Sequence, residues 1–381
     1  MSDAILYHRN IGTLQPNLQT MITRYFNVAV LALAIISSNS LHAEDSPAFD
    51  YTKIYSLCLD ANVKPALSLI ESNSTKTLSA KDTKFKTEIE NRFKFAEDRS
   101  TYLEDKKSEI SNLHILFHDY WRMSLLDNNK NYDKEFADTL RSFFSAEYAI
   151  PKSNISDDSL DVYFKKYVES KGLHSVGGIS KTGRLYDMLI WSTQKDTTYT
   201  IHLHKEIINV RVVLMDRFIS LGWEDYATLG KRYPGGWSTR DALFCVEKSY
   251  KLDSEHFLIS YLGHEGRHFM DLNAYPKLKS ADLEYRAKLT ELSLARETLY
   301  ELIGDFIDNA NYDSQNGHSI ADYCVIRDLS KQFFHVEFEK DINKWNKISV
   351  ARINKSAYKI LQANTKLLNS KGGNINGFIK S

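Results

Sequence analysis

Two histidines stand four residues apart at His264 and His268, and Glu265 directly follows the first of them. On a helix, residues four apart project from one face, so both imidazoles can reach a single metal ion. Neutral imidazoles are common ligands of Zn²⁺, which activates a water molecule, and a neighbouring carboxylate can take up a proton as that water attacks a carbonyl. The spacing therefore predicts metal-assisted hydrolysis with Glu265 as the base.

The flanking sequence predicts that this motif lies on a helix. Residues 253–262 open with residue types common at helix starts and then carry apolar residues at helical spacing. Asn273 and Pro276 are typical of a helix end. Residues 241–250 are predicted to form a preceding strand. We expect the stretch around 242–249 to lie at a sheet edge, where an extended peptide can be added as a further strand.

This order of strand, HExxH helix and second helix resembles the zincin superfamily of metallopeptidases over roughly residues 205–310. Zincins with a third histidine carry glycine and histidine where this chain has Asp271 and Ala274, so the resemblance is to the zincins with a glutamate ligand. In several of those, a Glu-x-x-Ala pattern supplies the third ligand, and Glu284 begins such a pattern here. The resemblance implies one Zn²⁺ per chain.

Glu291 is a second candidate for the third ligand. It lies seven residues after Glu284, on nearly the same face of the helix predicted there. The predicted zinc ligands are thus His264, His268 and Glu284, with Glu291 as the open alternative. Asp271, one turn beyond the second histidine, is predicted to orient an imidazole.

His318 is the second predicted catalytic residue, beside Glu265. It follows the second helix and would stabilise an oxyanion, as a downstream histidine or tyrosine does in the families that the chain resembles. A loop histidine with no role is the alternative. For the motif itself, the alternative is a helix with two ordinary histidines, one of them paired with Glu265 or Asp271.

The N-terminal segment predicts a secretory signal peptide over residues 1–43. Arg24 precedes an apolar run at 26–36, and small polar residues follow up to Ala43. The run of about 11 residues is far shorter than the about 20 that span a bilayer as a helix. Met21 is a possible true start, and no cysteine follows the run where a lipid anchor would need one. We therefore expect a periplasmic or extracellular protein without a stable membrane anchor.

Three cysteines, Cys58, Cys245 and Cys324, permit at most one intramolecular disulfide. In an oxidising compartment, a bridge from Cys324 to either of the others is possible. None of the three lies in a recognisable nucleophile context, which disfavours a cysteine protease.

Composition fits a globular enzyme that does not bind nucleic acid. Hydrophobic residues make up 43% of the chain, which is enough to fill a core. Lysine plus arginine and aspartate plus glutamate both number 49, so the chain has no overall basic field.

The pattern of apolar residues predicts a predominantly helical α+β protein. Residues 44–195 are expected to form a helical domain, including a helix at 134–148. Residues 196–381 are expected to form a zincin-like metallohydrolase domain with a small sheet, including a strand at 209–214 and helix over 320–370.

The predicted function is that of a secreted zinc-dependent peptidase acting on a peptide or protein. One alternative is a zinc-dependent amidase or esterase that acts on a non-peptide substrate. Another is a non-catalytic helical binding protein of the cell envelope. No oligomeric state is predicted.

Cleavage after Ala43 gives a direct test of the localisation. We expect N-terminal sequencing of the mature protein to begin near Glu44, and fractionation to recover the protein outside the inner membrane. An intact N-terminus on protein from the cytoplasm would contradict the predicted signal peptide.

Overall fold

The computed structural model describes residues 48–73, 78–95, 110–176, 181–314, 316–372 and 377–379. The predicted signal peptide lies outside these residues. Helices dominate the first part of the described chain: α1 (Tyr51–Leu59), α2 (Val63–Ser72), α3 (Ala80–Phe93), α4 (Ser111–Leu126), α5 (Asp133–Glu147) and α6 (Asp157–Ser170).

Aromatic side chains fill the space between these helices. Phe117 of α4 is fully buried, and its ring packs edge-on against Phe136 of α5 and Phe164 of α6, with centroids 4.8 and 6.0 Å apart. Burial of each such ring contributes about 2 kcal/mol to folding. The helix predicted at 134–148 is confirmed as α5, and it ends where Ala149 adopts a positive φ of 51°.

Strands follow: β1 (His174–Ser175), β2 (Lys181–Thr182), β3 (Leu185–Tyr186), β4 (Leu189–Leu203), β5 (Glu206–Leu221), β6 (Gly236–Ser238) and β7 (Leu243–Val246), with a short helix α7 (Trp223–Ala227). Five of them form one sheet in the order β1-β4-β5-β7-β6. β4 and β5 make a long antiparallel ribbon, whereas β5 and β7 are parallel. The strand predicted at 209–214 lies within β5, and the predicted domain boundary between 195 and 196 falls inside β4.

The prediction of an edge strand around 242–249 is wrong. Only Leu243–Val246 form a strand there, and β7 lies inside the sheet between β5 and β6. The edge is β6, because Gly236–Ser238 pair antiparallel with the outer side of β7. β6 has only three residues and is joined to β7 by four, and so short a strand leaves no clear alternation in the sequence.

The HExxH motif lies on helix α8 (Leu262–Ala274), which continues directly from a π-helix at His256–Tyr261. The predicted helix is therefore confirmed, although its first residues form a π-helix and not an α-helix. Gly266 lies against the β4–β5 ribbon, where an added Cβ would be 3.2 Å from the Cδ1 atoms of Ile201 and Ile208. The ribbon thus packs closely on α8 at the motif itself.

The last part of the chain is helical: α9 (Ser280–Leu294), α10 (Leu299–Asn309), α11 (Gly317–Phe333), α12 (Ile342–Trp345) and α13 (Val350–Ser370). α9 packs against α8, α11 and α13, and every side chain from 281 to 293 is buried. The helix predicted over 320–370 is interrupted after Phe333 and resumes in α12 and α13. The predominantly helical α+β class is confirmed.

The three cysteines are free and buried, so neither of the possible disulfides is formed. A search of the described helices for a segment long and apolar enough to cross a bilayer finds none.

Glu255, just before the π-helix, joins the motif helix to the start of α10. Its carboxylate accepts hydrogen bonds from the backbone N–H groups of residues 296–298, at 2.7 to 2.8 Å, and from the Thr298 hydroxyl at 2.9 Å. Burial raises the pKa of Glu255, but these hydrogen bonds outweigh it and hold that pKa below the ordinary value.

Glu255→Gln should lower the free energy of unfolding by about 1–2 kcal/mol, because an amide replaces a charged acceptor that water partly reaches. Because the folded-state pKa of Glu255 is lowered, its contribution is full above the ordinary pKa of 4.5 and is lost as the pH falls through the folded-state value. Urea unfolding at pH 7 and at pH 3 tests this, with exposed Glu297→Gln as the control. Equal stability of the wild type and the Glu255→Gln variant at pH 7 would refute it.

Candidate metal centre

Helix α8 brings the two motif histidines together, as their spacing predicts. His264 and His268 are 2% and 0% exposed, and their ring centroids lie 4.6 Å apart. Their Nε2 atoms face each other at 2.9 Å. Both imidazoles therefore point at one place between α8 and α9.

Glu284 on α9 completes a group of three. Its Oε2 lies 3.3 Å from Nε2 of His264, and its Oε1 lies 3.4 Å from Nε2 of His268. A tetrahedral ion with ligand distances of about 2.0–2.1 Å separates its ligand atoms by about 3.3–3.4 Å. One ligand atom from each residue lies within 4.8 Å of the others, so this buried group could hold a metal ion after the imidazoles move apart by a few tenths of an ångström.

Glu291, the alternative ligand, lies on the far side of His264. Its Oε1 is 2.5 Å from Nδ1 of that histidine, whereas Nε2 faces Glu284. A carboxylate on the second ring nitrogen fixes the orientation and tautomer of an imidazole ligand. The structure thus gives Glu291 an orienting position rather than a ligand position, and it is this carboxylate that orients an imidazole.

Asp271 does not have the role predicted for it. Its carboxylate accepts two hydrogen bonds from Arg286, at 2.6 and 3.0 Å, and lies 3.8 Å from Arg267. No hydrogen bond to an imidazole is seen among the described residues, and Nδ1 of His268 is buried without a partner there. Asp271 links α8 to α9 instead, because its carboxylate is bound by the guanidinium group of Arg286 on the neighbouring helix.

His318 enters the centre from the start of α11. Its Nδ1 lies 3.0 Å from Oε2 of Glu284, and its side chain is 19% exposed. The imidazole contacts the ligand carboxylate, a contact that sequence spacing does not reveal, and its role in stabilising an oxyanion stays a prediction.

Glu265 is fully buried beside the three candidate ligands. Neither of its carboxylate oxygens has a hydrogen-bond partner of good geometry in the part of the chain that the structure describes. Burial raises its pKa to about 8, against the lowering effect of His264 and with a further rise from Glu284. A carboxyl group whose pKa lies near neutral pH can both accept and return a proton.

The buried carboxylates of Glu284 and Glu291 favour a positive charge at the centre. Burial lowers the pKa of His264, but Glu291 and Glu284 outweigh burial and raise that pKa to about 10. The pKa of Glu284 is held well below its ordinary value despite burial, because His318, His268 and His264 surround it. Two nitrogens and a carboxylate are a donor set typical of zinc, and an ion bound there would replace a proton held between these groups.

Comparisons with known proteins supply no relative for this chain. A scan against protein-family models, a search of curated proteins and a search of solved structures each found no match. The evidence for the centre is therefore its side-chain geometry.

The two glutamates of α9 should differ in their effect on metal affinity. Glu291→Gln should weaken zinc affinity about 10-fold to 100-fold, the usual effect of losing an outer carboxylate, and Glu284→Gln should weaken it further because a ligand is lost. Competition with a chromophoric chelator measures both, with Glu297→Gln as a surface control. The reverse ranking would make Glu291 the ligand.

Proposed function

We propose that the chain is a zinc-dependent peptidase in which His264, His268 and Glu284 hold the ion and Glu265 is the general base. The observation that carries the proposal is the position of Glu265. It adjoins a candidate ligand, it is fully buried, and neither of its oxygens makes a well-aligned hydrogen bond among the described residues, although the Ser238 hydroxyl is close enough to lower its pKa. Burying such a group costs free energy, and this cost is typical of a site arranged for chemistry rather than for packing.

In the proposed hydrolysis, the residues around the ion have separate roles. A bound zinc ion supplies Lewis acidity that polarises a carbonyl and activates water. Glu291 holds His264 through Nδ1, which leaves Nε2 for the ion. Glu265 accepts the proton of the attacking water and returns it to the amine that leaves. Both transfers use one carboxylate, so no second acid is required.

The edge strand β6 supports a peptide as the substrate. Val246 N–H donates to Gly235 O, and hydrogen-bonded pairs alternate along an antiparallel ladder. The backbone groups of Gly236 and Ser238 therefore point away from β7, toward the side on which the described sheet has no further strand. All three residues of β6 are nevertheless buried, so a peptide would have to displace the groups that cover this strand. α8 packs on β6, and Ser238 lies against Glu265. An extended peptide added to this edge would run beside the base.

An amidase or esterase acting on a non-peptide substrate would use the same residues. A strand edge adds no binding energy for such a substrate, so we favour the peptide. With its predicted signal peptide, the enzyme would act in the periplasm or outside the cell.

Glu265→Gln separates catalysis from metal binding. The variant keeps the shape of the side chain and removes the base, so we expect it to retain zinc and its fold while peptide cleavage falls on the order of 100-fold or more. Cleavage of a peptide library, with metal analysis and circular dichroism, measures this against Glu297→Gln. A zinc-loaded wild type that cleaves no peptide in the library would end the peptidase proposal, and a Glu265→Gln variant with full activity would remove Glu265 from the mechanism.

A further inference from the structure

We infer that His318 is the access residue of the centre, whose side chain closes the route by which a metal ion reaches Glu284. This inference rests on the metal centre of the proposed function, but it does not depend on peptide cleavage. It adds a kinetic role to a residue that sequence analysis assigned to an oxyanion.

Burial defines the route. Glu265, His268 and Glu284 are fully buried, and His264 is 2% exposed. The side chain of His318 is 19% exposed and its Nδ1 lies 3.0 Å from Glu284. Among these five side chains, His318 alone combines contact with a ligand and contact with solvent. Of these five, His318 is therefore the side chain that connects the Glu284 carboxylate to the surface.

The backbone around His318 is fixed, so rotation of the side chain is the available movement. The Asn316 side chain accepts a hydrogen bond from the His318 N–H at 2.9 Å, which caps α11. Gly317 lies tightly on the start of α9, where an added Cβ would be 2.4 Å from Ser280 Oγ and 3.0 Å from Ala281 N. The first turn of α11 thus has no room to shift toward α9.

One turn deeper, an ion pair fixes the spacing of the same two helices. Lys288, four residues after Glu284, lies 2.8 Å from Asp322, which is four residues after His318. Both side chains are buried, so parting the helices would leave two buried charges without partners. Opening by helix separation is therefore disfavoured against rotation of one partly exposed side chain.

Metal exchange tests the inference with the ion alone as the probe. We would measure zinc uptake by the apoprotein and zinc release to excess chelator, in stopped flow, for the wild type, His318→Ala and His318→Phe. If the side chain is the gate, His318→Ala should speed uptake and release by a similar factor, about tenfold, because a barrier is lowered for both directions. His318→Phe keeps the bulk and should keep both rates slow. Exposed His202→Ala controls for the loss of a histidine.

The alternatives give different patterns. If His318 serves only to hold Glu284 by a hydrogen bond, the Ala and Phe variants should behave alike, with faster release and unchanged uptake, and the inference is overturned. Unchanged rates in His318→Ala, with circular dichroism showing a native fold, also overturn it. Should His318→Ala fail to fold, fast exchange in folded His318→Phe would contradict the inference and slow exchange would support it. Wild-type protein that binds no zinc would instead remove the metal centre itself.

Discussion

Protein surrounds α9 on every side, and each charged side chain on this helix must therefore find a partner within the fold. An unpaired buried charge costs several kcal/mol, comparable to the whole stability of many domains. Arg286 pairs with Asp271 of α8, and Lys288 pairs with Asp322 of α11. Since both partners come from helices that pack against α9, these ion pairs fix how the C-terminal helices are arranged around it.

The same constraint explains why the candidate centre lies where it does. The other site-facing charges on α9 are the carboxylates Glu284 and Glu291, and Glu265 of α8 adds a third. Their neighbours are His264, His268 and, beside Glu284, a partly exposed imidazole, so negative charge exceeds positive charge unless protons or a cation are bound. A divalent ion corrects this balance at the point where His264, His268 and Glu284 already meet.

Local patterns allowed the ligands to be predicted from sequence, and longer-range contacts did not follow from them. The two histidines of the motif share one helix, so their spacing places them together, whereas Glu284 is favoured over Glu291 through a resemblance to a family pattern. The position of Glu291 on the outer nitrogen of His264 and the pairing of Asp271 with Arg286 depend on the angle between two helices. The interior position of β7 is missed for another reason: β6, which covers its outer side, is a three-residue strand too short to show a pattern in the sequence. The predominantly helical class could be predicted because it follows from the period of apolar residues over many turns.

The π-helix at His256–Tyr261 has a consequence for how this segment tolerates changes in length. Its hydrogen bonds enclose one residue more than those of an α-helix, so it stores an extra residue immediately before the ligands. Loss of one residue within 256–261 can be absorbed by return to ordinary α-helical turns, which leaves α8 in the same rotational setting. Loss of one residue between His264 and His268 would turn one imidazole away by about 100°. Natural variation in length within this helix would accordingly be confined to the stretch before Leu262.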